Sequence, residues 1–200
     1  MNAHVPSKRD PHIDAQGWLT NATRLASPNF EARPDNAVPT LIVVHNISLP
    51  PDDFTTNAIA DFFLNTLDHD AHPYFDQLRG MRVSAHFVIR RDGEIRQFVS
   101  CDERAWHAGV SSFCGRERCN DFSIGIELEG SDRLPFEDAQ YAALTRLARI
   151  IVKRYPIDAV AGHSDIAPGR KTDPGPHFDW PRLRHDSALP PSFFPFLSNV

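Results

Sequence analysis

The chain has 200 residues, 41% hydrophobic and 24% charged, the proportions of an ordinary soluble globular protein with room for one domain. Its formal charge of −5 argues against a nucleic-acid binder, which normally carries a basic face. No run of about 18 apolar residues occurs, so no membrane span is expected, and MNAHVPSKRD at the start lacks the apolar stretch of a secretory signal.

The first strand is expected at Thr40–His45, a β-branched run after Pro39 that reads as a central strand covered on both faces. It ends at His45-Asn46, and polar groups at the end of such a strand are well placed for a site. After a proline-rich turn, Thr55 or Thr56 can cap a helix whose Ile59, Phe62, Phe63 and Leu67 share a face. Val83–Arg90 and Glu94–Val99 flank Arg91-Asp92-Gly93 and predict a hairpin. Phe122–Glu129 alternates, which puts Phe122, Ile124, Ile126 and Leu128 on one face and Ser123, Gly125, Glu127 and Glu129 on the other.

From Phe136 to Arg154 the period becomes helical, with Tyr141, Leu144, Ala148, Ile151 and Tyr155 in one stripe and Pro156 as its stop. Val160–His163 predicts one more short strand, and a Pro/Gly-rich loop runs on to Trp180. The final Leu189-Pro-Pro-Ser-Phe-Phe-Pro-Phe-Leu is a proline-broken apolar tail that can pack back, meet a partner or stay loose. No internal repeat or second domain is visible. The expected organisation is an extension over 1–16, a domain over 17–185 and a tail over 186–200.

Three cysteines, Cys101, Cys114 and Cys119, are an odd number and favour reduced thiols in the cytoplasm over a disulfide framework. Cys114 and Cys119 are close enough to suggest a bridge or a metal clip, but no second pair completes a tetrahedral site. Ten histidines and seventeen prolines are the unusual features, and together they suit a metal site held in stiff loops. A catalytic zinc site needs three protein ligands and a fourth position for water. His45, His163 in Ala-Gly-His-Ser-Asp and Asp173 in Arg-Lys-Thr-Asp-Pro-Gly-Pro form one such triple, although spacing alone does not select it from ten histidines.

The segments LIVVHNISLPP, DAHPYF, VSAHFVIRRDGEI, RAWHAGVSSFCGRERCNDFSIGIELEG and GHSDIAPGRKTDPGPHFDW resemble the zinc amidase family that includes phage lysozyme-amidases and peptidoglycan recognition proteins. The likeness runs from about Gly17 to Trp180. It implies an α/β (α+β) single domain, with a central mixed β-sheet flanked by helices and a zinc groove on one side of the sheet. It also implies zinc ligands His45, His163 and Asp173, a catalytic Glu127 and an essential Lys171. Glu127 and Glu129 share a strand face, so only the resemblance selects Glu127; Glu129 reads as a surface carboxylate or a supporting partner. His86 and His107 read as hydrogen-bonded structural histidines, His69, His72 and His177 as loop residues, and His4, His12 and His185 have no context.

The same resemblance places the segments around Asn46, Tyr74, Arg82, Trp106 and Arg118 along the groove. Trp106 or Tyr74 could stack on an apolar sugar or peptide face. Arg82, Arg118 and Arg170 could grip carboxylates, or be solvated or salt-bridged surface residues. The implied reaction is hydrolysis of the amide between 1,6-anhydro-N-acetylmuramic acid and L-alanine in soluble muropeptides, by a cytoplasmic monomer that recycles peptidoglycan. The alternatives are a wall-lytic amidase acting on intact murein and a non-catalytic peptidoglycan-binding module.

Overall fold

A computed structural model describes residues 10–197. In chain order the elements are β1 (Thr23–Arg24), β2 (Phe30–Ala32), β3 (Leu41–Ile47), α1 (Ala58–Phe63), β4 (Phe87–Ile89), β5 (Ile95–Gln97), β6 (Glu103–Ala105), β7 (Ser112–Phe113), β8 (Arg116–Glu117), β9 (Ser123–Glu129), α2 (Asp138–Arg154), β10 (Ala159–Gly162), α3 (His163–Ile166) and α4 (Trp180–Ser187). Six strands form one sheet in the order β1-β5-β4-β9-β3-β10. Only β4 and β5 pair antiparallel within it; the other neighbours are parallel. The expected mixed sheet flanked by helices is therefore the observed architecture.

Parallel strands need crossovers, and β9-α2-β10 is one of them. Helix α2 forms because its apolar residues recur at helical spacing and its ends are capped. The Gln140 side chain accepts from the Glu137 N–H at 3.0 Å, while Lys153 and Arg154 oppose the dipole at the other end. Its buried stripe of Tyr141, Leu144, Ala148 and Ile151 covers Ile42 and Val44 of β3 and Ile124, Ile126 and Leu128 of β9. The opposite face holds Leu41, Val43, Ala159 and Ala161 under Ala108 and Ile166.

Several expected elements change at their ends. Phe122 is not on the α2 face: it closes a 3-10 turn before β9, and its ring joins Leu41, Val43 and Cys119 on the other side. The hairpin keeps its Asp-Gly turn, with Gly93 at φ +84° and an added Cβ there 2.8 Å from the Ala139 carbonyl oxygen. Its first strand is shorter than Val83–Arg90 because Ser84 bonds to the Trp106 carbonyl instead of the ladder. Helix α1 stops at Phe63, short of Leu67, where Asn65 turns to φ +61°. His163 opens α3 instead of ending a strand.

Helix α4 is absent from the sequence reading, although its start is signalled. The Asp179 carboxylate accepts from the Arg182 N–H at 2.9 Å, and Pro181 sits in the first turn. The apolar tail packs back: Phe194 is buried in the main core, with Phe193, Leu189 and Leu197 against it. Ile13 is buried in the same core from within the segment read as an extension. Residues 1–9 of that extension, His4 among them, and residues 198–200 of the tail lie outside the described residues. All three cysteines are unpaired, Cys114 exposed and Cys101 and Cys119 buried, so the 114–119 bridge does not form.

Parallel pairing puts the carboxyl ends of β3, β9 and β10 side by side. The register sets His45 opposite Glu127, and His163 follows directly on β10. In open α/β sheets this edge is where ligands bind.

Candidate active site

Among the described residues, His45, His163 and Asp173 form a cluster able to hold a metal ion. His45 Nδ1 lies 3.0 Å from His163 Nδ1 and 2.9 Å from Asp173 Oδ2, and His163 Nδ1 lies 3.0 Å from the same oxygen. The first histidine comes from the end of β3 and the second from the start of α3. Asp173 is brought in by a loop whose carbonyl accepts from the Ser164 N–H at 2.8 Å.

The donor chemistry fits a metal. His163 Nε2 is 3.0 Å from the Ala108 carbonyl oxygen, which can only accept, so the ring proton sits there and Nδ1 presents a lone pair. His45 is buried, and desolvation lowers its pKa to about 4, keeping the ring neutral as a ligand must be. Two imidazole lone pairs and a carboxylate oxygen crowded at 2.9–3.0 Å repel one another unless a cation lies between them. The spacing is slightly inside the roughly 3.3 Å edge of a tetrahedron with donors about 2.0 Å from zinc.

Glu127 stands beside this cluster, with Oε1 4.0 Å from His45 Nδ1. Its other oxygen, Oε2, is buried and has no hydrogen-bond partner among the described residues. Burial, and next the negative charge of Asp173, push its pKa well above the ordinary carboxylate value. A buried carboxylate with one free oxygen and a raised pKa next to a cluster able to hold a metal is equipped to take up and return a proton.

Glu129, two residues on, is used up structurally. It is buried, its Oε1 accepts from Arg90 Nε at 3.1 Å and its Oε2 from the Arg91 N–H at 3.0 Å. The structure thus separates two carboxylates that strand alternation could not, and Glu129 is no surface residue.

Lys171 is exposed and lines a cavity of about 420 Å³ together with Asn46, Tyr74, Arg170 and Asp173. Asn46 is held there by donating to Asp132 Oδ1 at 2.8 Å and to the Pro174 carbonyl at 3.1 Å. Asp132 is a wall residue that no sequence pattern singled out. A second cavity of about 490 Å³ is lined by Arg118, Val110 and Ile166, and Arg170 borders both.

Arg170 is partly committed, since its Nη2 donates to the Ala108 carbonyl at 2.8 Å and the Val110 carbonyl at 2.6 Å. Arg118 pairs with Asp121 at 3.1 Å. Arg82 is not brought into either cavity; it is exposed and donates to Asn65 Oδ1 at 3.2 Å. Trp106 is half-buried and lines neither, and its indole N–H is buried without a partner among the described residues.

A cluster able to hold a metal at a parallel sheet edge, with a buried carboxylate beside it, has the parts of a hydrolase site. Residues 35–176 match the family Amidase_2, N-acetylmuramoyl-L-alanine amidase, and the chain belongs to that family: it is an N-acetylmuramoyl-L-alanine amidase. It is 58% identical over 176 residues to the 1,6-anhydro-N-acetylmuramyl-L-alanine amidase AmpD of Salmonella typhimurium, covering 87% of this chain and 94% of that one. A crystal structure of a selenomethionine derivative of AmpD superposes with a TM-score of 0.84 at 57% identity, over 86% of this chain and 97% of that chain. The Escherichia coli amidase AmiD is similar at 31% identity and a TM-score of 0.52, over 87% of this chain and 65% of that one. Its structure is a complex with the substrate anhydro-N-acetylmuramic acid-L-Ala-D-gamma-Glu-L-Lys.

Proposed function

We propose that this amidase uses zinc, held by His45, His163 and Asp173, to hydrolyse the amide between 1,6-anhydro-N-acetylmuramic acid and L-alanine in soluble muropeptides. The observation that carries the reading is the free, buried Oε2 of Glu127 beside three converging donor atoms. A zinc ion there would supply Lewis acidity and a nucleophilic water at neutral pH. Glu127 takes the proton of the attacking water and returns it to the leaving amine of L-alanine. Lys171, on the cavity wall beside Asp173, offers a cation to the oxyanion that develops on the scissile carbonyl.

Asn46 and Tyr74 on the same wall, and Arg118 and Arg170 around the adjoining cavity, are proposed to hold the sugar and the stem-peptide carboxylates. Arg82 and Trp106 are kept as outlying contacts. The substrate class rests on the 58% identity to a protein named for anhydro-muramyl cleavage. All the groups come from one chain, so a monomer suffices. Three unpaired cysteines suit the cytoplasm, where peptidoglycan fragments are recycled.

Mass spectrometry of products from a defined anhydromuropeptide, with and without chelator, tests the reading. Release of free anhydro-sugar and intact peptide, abolished by chelator and restored by zinc, is the expected result. Intact sacculi cleaved as well as the soluble substrate would instead make the chain a wall-lytic enzyme.

A further inference from the structure

His107 and Ser123 have no part in the chemistry above, yet they stand in line behind a metal ligand. His107 Nδ1 is 2.9 Å from His45 Nε2, and His107 Nε2 is 3.3 Å from Ser123 Oγ. The Ser123 hydroxyl lies 2.6 Å from the Cys119 carbonyl oxygen, an obligate acceptor, so its proton points there. Ser123 Oγ then accepts from His107 Nε2–H. A neutral imidazole has one N–H, so His107 Nδ1 must accept, and the group opposite it, His45 Nε2–H, must donate. That leaves His45 Nδ1 with a lone pair directed at His163 Nδ1 and Asp173 Oδ2.

The supporting frame is specific to this ring. An added Cβ on Gly125 would lie 2.5 Å from His107 Cγ and 2.6 Å from Nδ1, so the imidazole rests in the space a side chain on β9 would fill. Asn120 Oδ1 accepts from the N–H groups of both His107 and Ala108, at 3.1 and 2.8 Å. The same dipeptide also supplies the Ala108 carbonyl that takes the His163 Nε2 proton. One clamped segment therefore touches the outer nitrogen of each metal histidine.

We infer that His107 is a positioning residue: through the chain Cys119 carbonyl–Ser123–His107–His45 it fixes the His45 tautomer whose Nδ1 binds the metal. The inference rests on the zinc reading of the preceding subsection. Partners of this kind commonly govern metal affinity by about 10- to 100-fold. Asparagine can offer Oδ1 where His107 has Nδ1, whereas leucine offers no acceptor.

The test combines zinc-affinity titration against a chromophoric chelator with long-range ¹⁵N–¹H correlation spectra of the histidine rings. In the wild-type chain, His107 should show its proton on Nε2 and His45 should show its proton on Nε2. His107→Leu should weaken zinc by about 10- to 100-fold and His107→Asn should recover most of it. A wild-type His107 protonated on Nδ1 overturns the relay without any variant. So does zinc affinity unchanged in His107→Leu, or a folded His107→Asn as weak as the leucine variant. Wild-type protein that binds no zinc at all would instead remove the metal reading itself, which separates the two failures.

Discussion

His45 and Glu127 occupy the same register position on neighbouring parallel strands, with His45 Nδ1 4.0 Å from Glu127 Oε1. The ladder thus brings the proposed metal donor and the proposed proton carrier together with no loop between them. Glu127→Gln keeps the shape and removes the proton-carrying group. It should retain stoichiometric zinc and lose about 10²- to 10⁴-fold in kcat. Metal content by atomic absorption and steady-state kinetics check this, and loss of zinc in the variant would mean that Glu127 is a ligand. Because the wild-type carboxyl is buried with one oxygen unpaired, the variant should be no less stable than the parent.

Removing a ligand should separate cleanly from removing the proton carrier. His163→Ala leaves two donors on a site that needs three, so zinc and turnover should disappear together. Equilibrium dialysis against zinc, run beside the activity assay, tells the two classes apart. Retained zinc with lost activity would make His163 a substrate contact instead.

Much of the candidate site could be read along the chain because its proposed first ligand and proposed proton carrier sit on the two strands with the clearest patterns, Leu41–Ile47 and Ser123–Glu129. The choice between Glu127 and Glu129 could not, since alternation gives both the same face. What distinguishes them is Arg90 and the Arg91 amide, 38 or 39 residues away, closing on Glu129 alone. His107 likewise looked like any structural histidine, because its partners His45 and Ser123 are 62 and 16 residues distant. Local signals do not report such pairings. Helix α4 is different: its Asp179 cap and Pro181 were present in the sequence, but the surrounding Pro/Gly-rich composition masked them.

The tail that the sequence left undecided is part of the core. Phe194 is 3% exposed and packs in the cluster shared by α2 and α4. Phe194→Ala should cost about 3–5 kcal/mol, in line with other buried aromatic truncations. Urea denaturation should show a lower midpoint with kcat nearly unchanged in the folded protein. A midpoint equal to wild type would mean that the tail is detached in solution.

His86 sets an acid limit on stability. Its ring is buried, and desolvation, with the Arg33 charge second, lowers its pKa to about 3 from the unfolded 6.5. Nδ1 accepts from the Gly125 N–H at 3.0 Å and Nε2 donates to the Glu103 carbonyl at 3.0 Å, so the neutral ring is fully used. A depressed pKa means that the folded state binds fewer protons. The contribution is complete above pH 6.5 and is lost as pH falls towards 3, at up to about 1.4 kcal/mol per pH unit. Urea midpoints of the chelated protein should fall between pH 7 and 5, and His86→Gln should fall less steeply. Parallel slopes would assign the acid sensitivity to other groups.

Gly125 offers a steric test of the same region. The residue has ordinary strand backbone, and the nearest obstacle to a methyl group is the His107 ring, at 2.5 Å from Cγ. Gly125→Ala must therefore push the ring off β9 or bend the strand, and overpacking of this kind costs about 1–3 kcal/mol. If the ring is the obstacle, the cost should largely vanish in a His107→Ala background, where the space is empty. A double-mutant cycle reads that coupling directly. Additive losses would mean that the strand backbone resists the methyl for another reason, such as the His86 amide bonded to the Gly125 carbonyl at 3.1 Å. Strong coupling in stability would tie the missing side chain of Gly125 to the seat of the imidazole behind His45.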